Sequence, residues 1–193
     1  FQPSNIANDG QFVLDGARFG SLTNPVPNMP ETSTKAFYRD CVGITNTRPG
    51  AVMEWTTETL TPLTANVPTK GLGTTTTTDE TWFSQTANNE LTYLSTLTKD
   101  IEININLRVD GGPDDEVSVI VRKYDDSIAS YVDVKTKTLP VNSLVGGLDV
   151  QDYNFIARTE VDIDDRIEIW VENTSDGTDI TIKNGSEVFI KVI

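Results

Sequence analysis

Ile101-Glu102-Ile103-Asn104-Ile105-Asn106-Leu107-Arg108-Val109 decides the fold. Apolar and polar residues alternate without a break. A strand turns successive side chains to opposite faces, so this stretch has one face for a core and one for water. A helix would spread the same apolar set around its whole circumference. Asp110-Gly111-Gly112-Pro113-Asp114-Asp115 follows, a run of turn formers that ends the strand.

The same pattern extends outward. Glu116 to Tyr124 carries Val117, Val119 and Val121 on one face, and after Asp125-Asp126 a strand is predicted over Ser127 to Lys137. Leu139 to Gly147 is a longer connection holding Pro140. Tyr153 to Ile163 is the next strand, closed by Asp164-Asp165. Arg166 to Glu172 aims Ile167, Ile169 and Val171 inward, and Thr178 to Lys183 does the same with Ile180 and Ile182. Asn184-Gly185 is a strong hairpin signal before Glu187 to Ile193, whose core face is Val188, Ile190 and Val192. Upstream, Val52 to Thr59, Thr81 to Gln85 and Glu90 to Ser95 read as strands. Gly71 to Asp79, with its five consecutive Thr, reads as an exposed loop. Some ten short strands with no helical window specify an antiparallel sandwich or barrel.

Composition agrees. Of 193 residues, 60 are Thr, Val or Ile, against 20 Ala or Leu. β-branched side chains are stiff and suit a pleated surface better than a helix. The net charge of −14 argues against nucleic acid and anionic membrane as partners. No apolar run is long enough to cross a bilayer as a helix. FQPSNIANDG at the start lacks the basic and apolar regions of a secretory leader.

The chain holds no His and one Cys, Cys41. Ser-His-Asp and Cys-His catalysis, zinc hydrolysis and an intrachain disulfide framework therefore lack their parts. A phosphate-cradling GxxxxGK[ST] loop is missing as well. A carboxylate pair for glycoside hydrolysis is compatible with so acidic a chain, but no pair stands out. Asp114, Asp115, Asp125, Asp126, Asp164 and Asp165 sit at turns, where solvated aspartates are common, and no spacing matches an EF-hand. No metal, cofactor or enzymatic activity is expected.

Residues 1–50 differ from the rest. Five of the nine prolines lie there, and Asn24-Pro25-Val26-Pro27-Asn28-Met29-Pro30 cannot be a helix or a central strand. Phe1, Phe12, Val13, Leu14 and Phe19 are scattered among turn formers. Such a segment either remains a flexible tail or drapes an extended arm over another surface, pressing its few apolar side chains and Pro25, Pro27 and Pro30 into pockets. The predicted organisation is an extended N-terminal arm, 1–50, and a β domain, 51–193.

Four features of residues 88–193 resemble the tumour-necrosis-factor-like, complement-type jelly roll in the version found on phage virions. Asn89-Glu90-Leu91-Thr92-Tyr93-Leu94 leads into the long alternating strand, and Val117–Tyr124 and Ser130–Thr138 flank an acidic turn. Val161 to Asn173 joins an acidic turn to an alternating strand, and Asp179-Ile180-Thr181-Ile182 precedes a tight turn and the terminal strand. Asp164-Asp165 stands where the family usually has Gly-Asp. The resemblance implies an all-β antiparallel jelly-roll sandwich forming a homotrimer. It further implies a phage capsid decoration (cement) or head-fibre protein on the virion surface, with the major capsid protein as its partner through the arm. The alternative is a fibre tip that binds a receptor or host-surface glycan, with Trp170 or Tyr131 stacking on sugar.

Within such a trimer, aromatic residues on polar strand faces need cover. Trp170 lies opposite Ile167 and Ile169, and Phe189 shares a face with Glu187 and Lys191. Either a neighbouring subunit covers them or each sheet carries a second small cluster of its own. Trp170 and Phe189, with Tyr153 and Phe155 on one strand face, are the candidate subunit contacts.

Overall fold

The computed structural model describes residues 12–15, 18–22, 36–39, 42–44, 50–141 and 149–193, with side chains described from residue 50 onward except 79–81. The chain divides into two compact units, Phe1–Thr47 and Arg48–Ile193. In the first, β1 (Phe12–Asp15) pairs in parallel with β3 (Ala36–Arg39), and β2 (Arg18–Leu22) with β4 (Val42–Ile44). Phe12, Val13 and Leu14 thus belong to β1 and Phe19 to β2. Phe1, Pro25, Pro27, Pro30 and Cys41 lie outside the described residues.

The second unit holds β5 (Gly50–Trp55), β6 (Leu60–Thr61), β7 (Thr69–Lys70), β8 (Thr75–Thr81), β9 (Phe83–Ala87) and β10 (Glu90–Tyr93). It continues with β11 (Lys99–Asp110), β12 (Glu116–Asp125), β13 (Ser130–Pro140) and β14 (Val150–Val161). The last three are β15 (Arg166–Asn173), β16 (Ile180–Ile182) and β17 (Glu187–Val192). Two sheets result. One runs β13-β12-β15-β10-β9, with β7 also on β15. In the other, β14 lies along one side of β11 for its full length, and β17 and β16 share the other side. β5 and β8 follow β17, and β6 follows β16. All pairings in this unit are antiparallel, and the described residues contain no helix. The C-terminal strand lies inside its sheet, between β11 and β5.

The core is what the alternation predicts. Ile101, Ile103, Ile105, Leu107 and Val109 of β11 are buried against Val117, Val119 and Val121 of β12 and Ile167, Ile169 and Val171 of β15. Each such side chain contributes roughly 1.5–3 kcal/mol by leaving water. Trp55, Tyr93, Phe83 and Met53 fill the end that β5, β9 and β10 close. Gly73 makes room there: its φ is +133°, and an added Cβ would stand 2.7 Å from the Trp55 ring.

The threonine run corrects one expectation. Thr75–Thr81 is not a loop but strand β8, paired with β5. Thr alternates poorly in a hydrophobicity pattern because it is polar, yet its branched Cβ favours a strand. Thr75 is buried, and its hydroxyl accepts from Asn89 N at 2.8 Å. Two ends also move: the turn after β12 extends to Ala129, which adopts φ +49°, and β5 stops at Trp55.

Candidate functional site: two outer sheet faces

The outer face of the β11 sheet is a grid fixed by register. One row crosses β14, β11, β17 and β5 as Ile156, Asn104, Phe189 and Val52. Ile156 and Phe189 are 46% and 43% exposed, so this row presents apolar surface to solvent. The row on one side is Arg158, Glu102 and Lys191. Arg158 Nη2 and Lys191 Nζ each lie 2.6 Å from the Glu102 carboxylate. The Lys191 and Arg158 hydrogen bonds hold that carboxyl at about 2, well below the usual glutamate range. The row on the other side is Asn154, Asn106, Glu187 and Glu54.

Beyond Ile156, the edge strands β13 and β14 of the two sheets approach each other. Lys135 Nζ donates to Ile156 O at 2.8 Å and Lys137 Nζ to Asn154 O at 3.1 Å. Both ammonium groups stand 6.0 Å from the ring centroid of half-buried Phe155. An open depression of about 520 Å³ lies here, lined by Asn104, Lys135, Phe155 and Ile156 among others. Lysines over a strand edge discourage unspecific pairing with other chains.

The second face belongs to the β15 sheet and is self-contained. Trp170 donates its indole N–H to Glu168 Oε2 at 2.8 Å, and the Arg122 guanidinium lies 4.4 Å over its ring. Tyr131 meets Trp170 edge-on at 5.1 Å and Tyr124 at 5.1 Å, while Arg166 sits 3.9 Å over Tyr124. Ile120, directly across the ladder from Trp170, is only 2% exposed although it lies outside the main core. Beneath the aromatics, Lys70 bridges Glu90 at 3.0 Å and Glu168 at 3.1 Å. Burial raises the Glu90 carboxyl, but hydrogen bonds from Thr86 and Lys70 outweigh it and leave the group below its ordinary value. Glu90 and Glu168 are the adjacent carboxylates that composition left unidentified. Their shared lysine and their position under a flat sheet face suit them to structure rather than to glycoside chemistry.

The candidate contact residues therefore separate. Phe189 is exposed and Phe155 half-buried at the sheet edge. Trp170 takes the second alternative, a cluster within the protomer. Tyr153 corrects the sequence-based expectation: it is fully buried, and its hydroxyl donates to Val117 O at 2.7 Å. Tyr153 and Phe155 share the inward face of β14, but only Phe155 lies where the sandwich opens. Ile156, which alternation alone assigns to a polar face, was missed. Its cross-strand neighbour Asn104, with Phe189 on Asn104's other side, is the signal that could have found it.

The turn aspartates are likewise accounted for. Asp165 accepts from Asp126 N, Asp162 N and Lys123 Nζ, and Asp115 from Asn173 Nδ2. Among the described residues no three acidic or sulfur side chains gather as a metal-ligand group.

No protein-family model matches this sequence, and no curated protein is significantly similar to it. Solved structures are similar in fold. Murine APRIL at pH 8.0 aligns with a TM-score of 0.54 and 5% identity, over 75% of this chain and 98% of its own. The pH 5.0 structure of murine APRIL gives 0.53, also at 5% identity, over 75% of this chain and 99% of its own. Eiger TNF from S. frugiperda aligns at 0.48 with 11% identity, over 76% of this chain and 92% of its own. The likeness is one of architecture: residues from β5 to β17 form a tumour-necrosis-factor-like antiparallel jelly roll.

Proposed function

We propose that this chain is a non-enzymatic structural protein of a phage virion, a capsid decoration or head-fibre protein. Its jelly roll self-associates as a homotrimer, and residues 1–50 engage the major capsid protein. The observation that carries the self-associating part is the exposed row of Ile156, Phe189 and Val52 on a sheet face otherwise polar. The capsid assignment rests on the resemblance of residues 88–193 to virion jelly rolls and on a separate N-terminal unit rich in proline. Three weak arms held by one assembly bind far more tightly than one, because the second and third attachments are intramolecular. The net charge of −14 keeps such knobs apart in solution.

Light scattering on the full chain, with co-sedimentation on shells of a matched phage, tests this. A trimer that sediments with shells, and that stays trimeric but unbound when residues 1–30 are deleted, is the expected result. Shell binding that survives the deletion overturns the role of the arm, and a monomer at every concentration overturns the trimer. Tyr131, 41% exposed beside Trp170, supports the fibre-tip reading in which the partner is a host-surface glycan. Saturable binding on a glycan array would favour that reading.

A further inference from the structure

Building on the self-associating reading, we propose that copies meet head-to-tail, with Lys135 and Lys137 of one copy set against Glu54 and Glu187 of the next. Glu54 and Glu187 are directly opposite each other on β5 and β17. Like charges in that position repel. Neither has an ion-pair partner among the described residues, whereas Glu102 on the same sheet face has two. The sheet thus neutralises one acid fully and leaves an adjacent pair bare beside its exposed apolar row.

A matching pair of cations exists on the same unit. Lys135 and Lys137 have no carboxylate partner among the described residues. Each uses a carbonyl of β14 and keeps two further donors. They flank the Ile156 end of the apolar row, while Glu54 and Glu187 flank the Val52–Phe189 end, three strand spacings or about 14 Å away. Seating the β13–β14 edge of one copy on Phe189 and Val52 of the next covers the apolar row and pairs both ammonium groups with both carboxylates. Laying the two acidic rows on one another would instead oppose four carboxylates. A head-to-tail contact uses a different patch on each partner, so it terminates only when a ring closes.

The test is the self-association of the full chain, measured by light scattering and sedimentation at low and high ionic strength. The K135E/K137E and E54K/E187K variants should each weaken association by on the order of tenfold or more. The variant carrying all four changes should restore it, because every contact is complementary again. Circular dichroism checks the fold, and should K135E/K137E not fold, E54Q/E187Q must still show a weaker salt dependence than the wild type. A wild type that associates while both charge-reversed variants associate equally well overturns the head-to-tail pairing and leaves self-association standing. Failure of the fourfold variant to recover does the same. A wild type that is monomeric throughout overturns both readings together.

Discussion

Asn89 extends the β10–β15 ladder with its side chain. The ladder's last backbone pair is Glu90 with Glu168, and one step further Asn89 Nδ2 donates to Ile169 O at 2.6 Å while Oδ1 accepts from Ile169 N at 3.0 Å. The amide does what a peptide group would do there. Its second N–H reaches Gly71 O at 2.9 Å, tying in the segment after β7. The backbone at Asn89 has φ +55°, a conformation that Asn tolerates better than most residues.

Asn89→Ala should therefore destabilise the protein by about 2–4 kcal/mol, since buried backbone groups of Ile169 and Gly71 lose their partners and Ala fits the left-handed backbone poorly. Asn89→Asp should be no milder. It keeps the acceptor for Ile169 N but sets a carboxylate oxygen against two carbonyls. Urea unfolding of the two variants checks both; an Asp variant as stable as the wild type would contradict this reading of the amide.

Glu102 gives a pH dependence with a definite sign. Its folded-state carboxyl titrates at about 2, against 4.5 for an unperturbed glutamate, because Lys191 and Arg158 hold the charged form. A depressed carboxyl contributes stability above its unfolded value and loses it as the pH falls through its folded value. The difference in melting temperature between wild type and Glu102→Gln should be constant near neutrality, shrink below about pH 4.5, and vanish by about pH 2. Added salt should also reduce it, because both cations are solvent-exposed.

Strict alternation made the sandwich legible. Ile101 to Val109 and Arg166 to Glu172 each declare one buried face, and those faces are the core. Thr75–Thr81 was opaque because a polar β-branched residue announces a strand by shape and not by hydropathy. The surface was harder still. Phe189 was visible as an aromatic among charges, but Ile156 becomes its companion only through the register of β14, β11 and β17, which no single strand encodes. Tyr153 and Phe155 look equivalent in sequence. They differ because the first lies between the sheets and the second beside their open edge.

Tyr153→Phe tests that difference with one atom. The ring stays in the core, and the hydroxyl that Val117 O accepts is lost. Burial alone holds the phenol far above its ordinary pKa, so it remains a donor throughout the range in which the protein would be studied. The expected cost is about 1 kcal/mol in thermal or urea unfolding, with no change in oligomeric mass. A change in mass with unaltered stability would return Tyr153 to the subunit contact.

Trp170 separates a cluster from an interface. Trp170→Ala removes the ring under Arg122, the donor to Glu168 and the cover over Ile120. A loss of about 2 kcal/mol is expected. Arg122 also pairs with Asp133 at 2.5 Å, so Arg122→Ala should be costly too. The double variant should fall short of the sum of the two by about 0.5–1 kcal/mol, the coupling of a cation stacked on an indole. If Trp170 serves its own protomer, the stability loss will appear without any change in self-association, and the coupling to Arg122 will persist in dilute solution. A variant that instead keeps its melting temperature and loses association would place the indole at the contact between copies, and Ile120 beneath it.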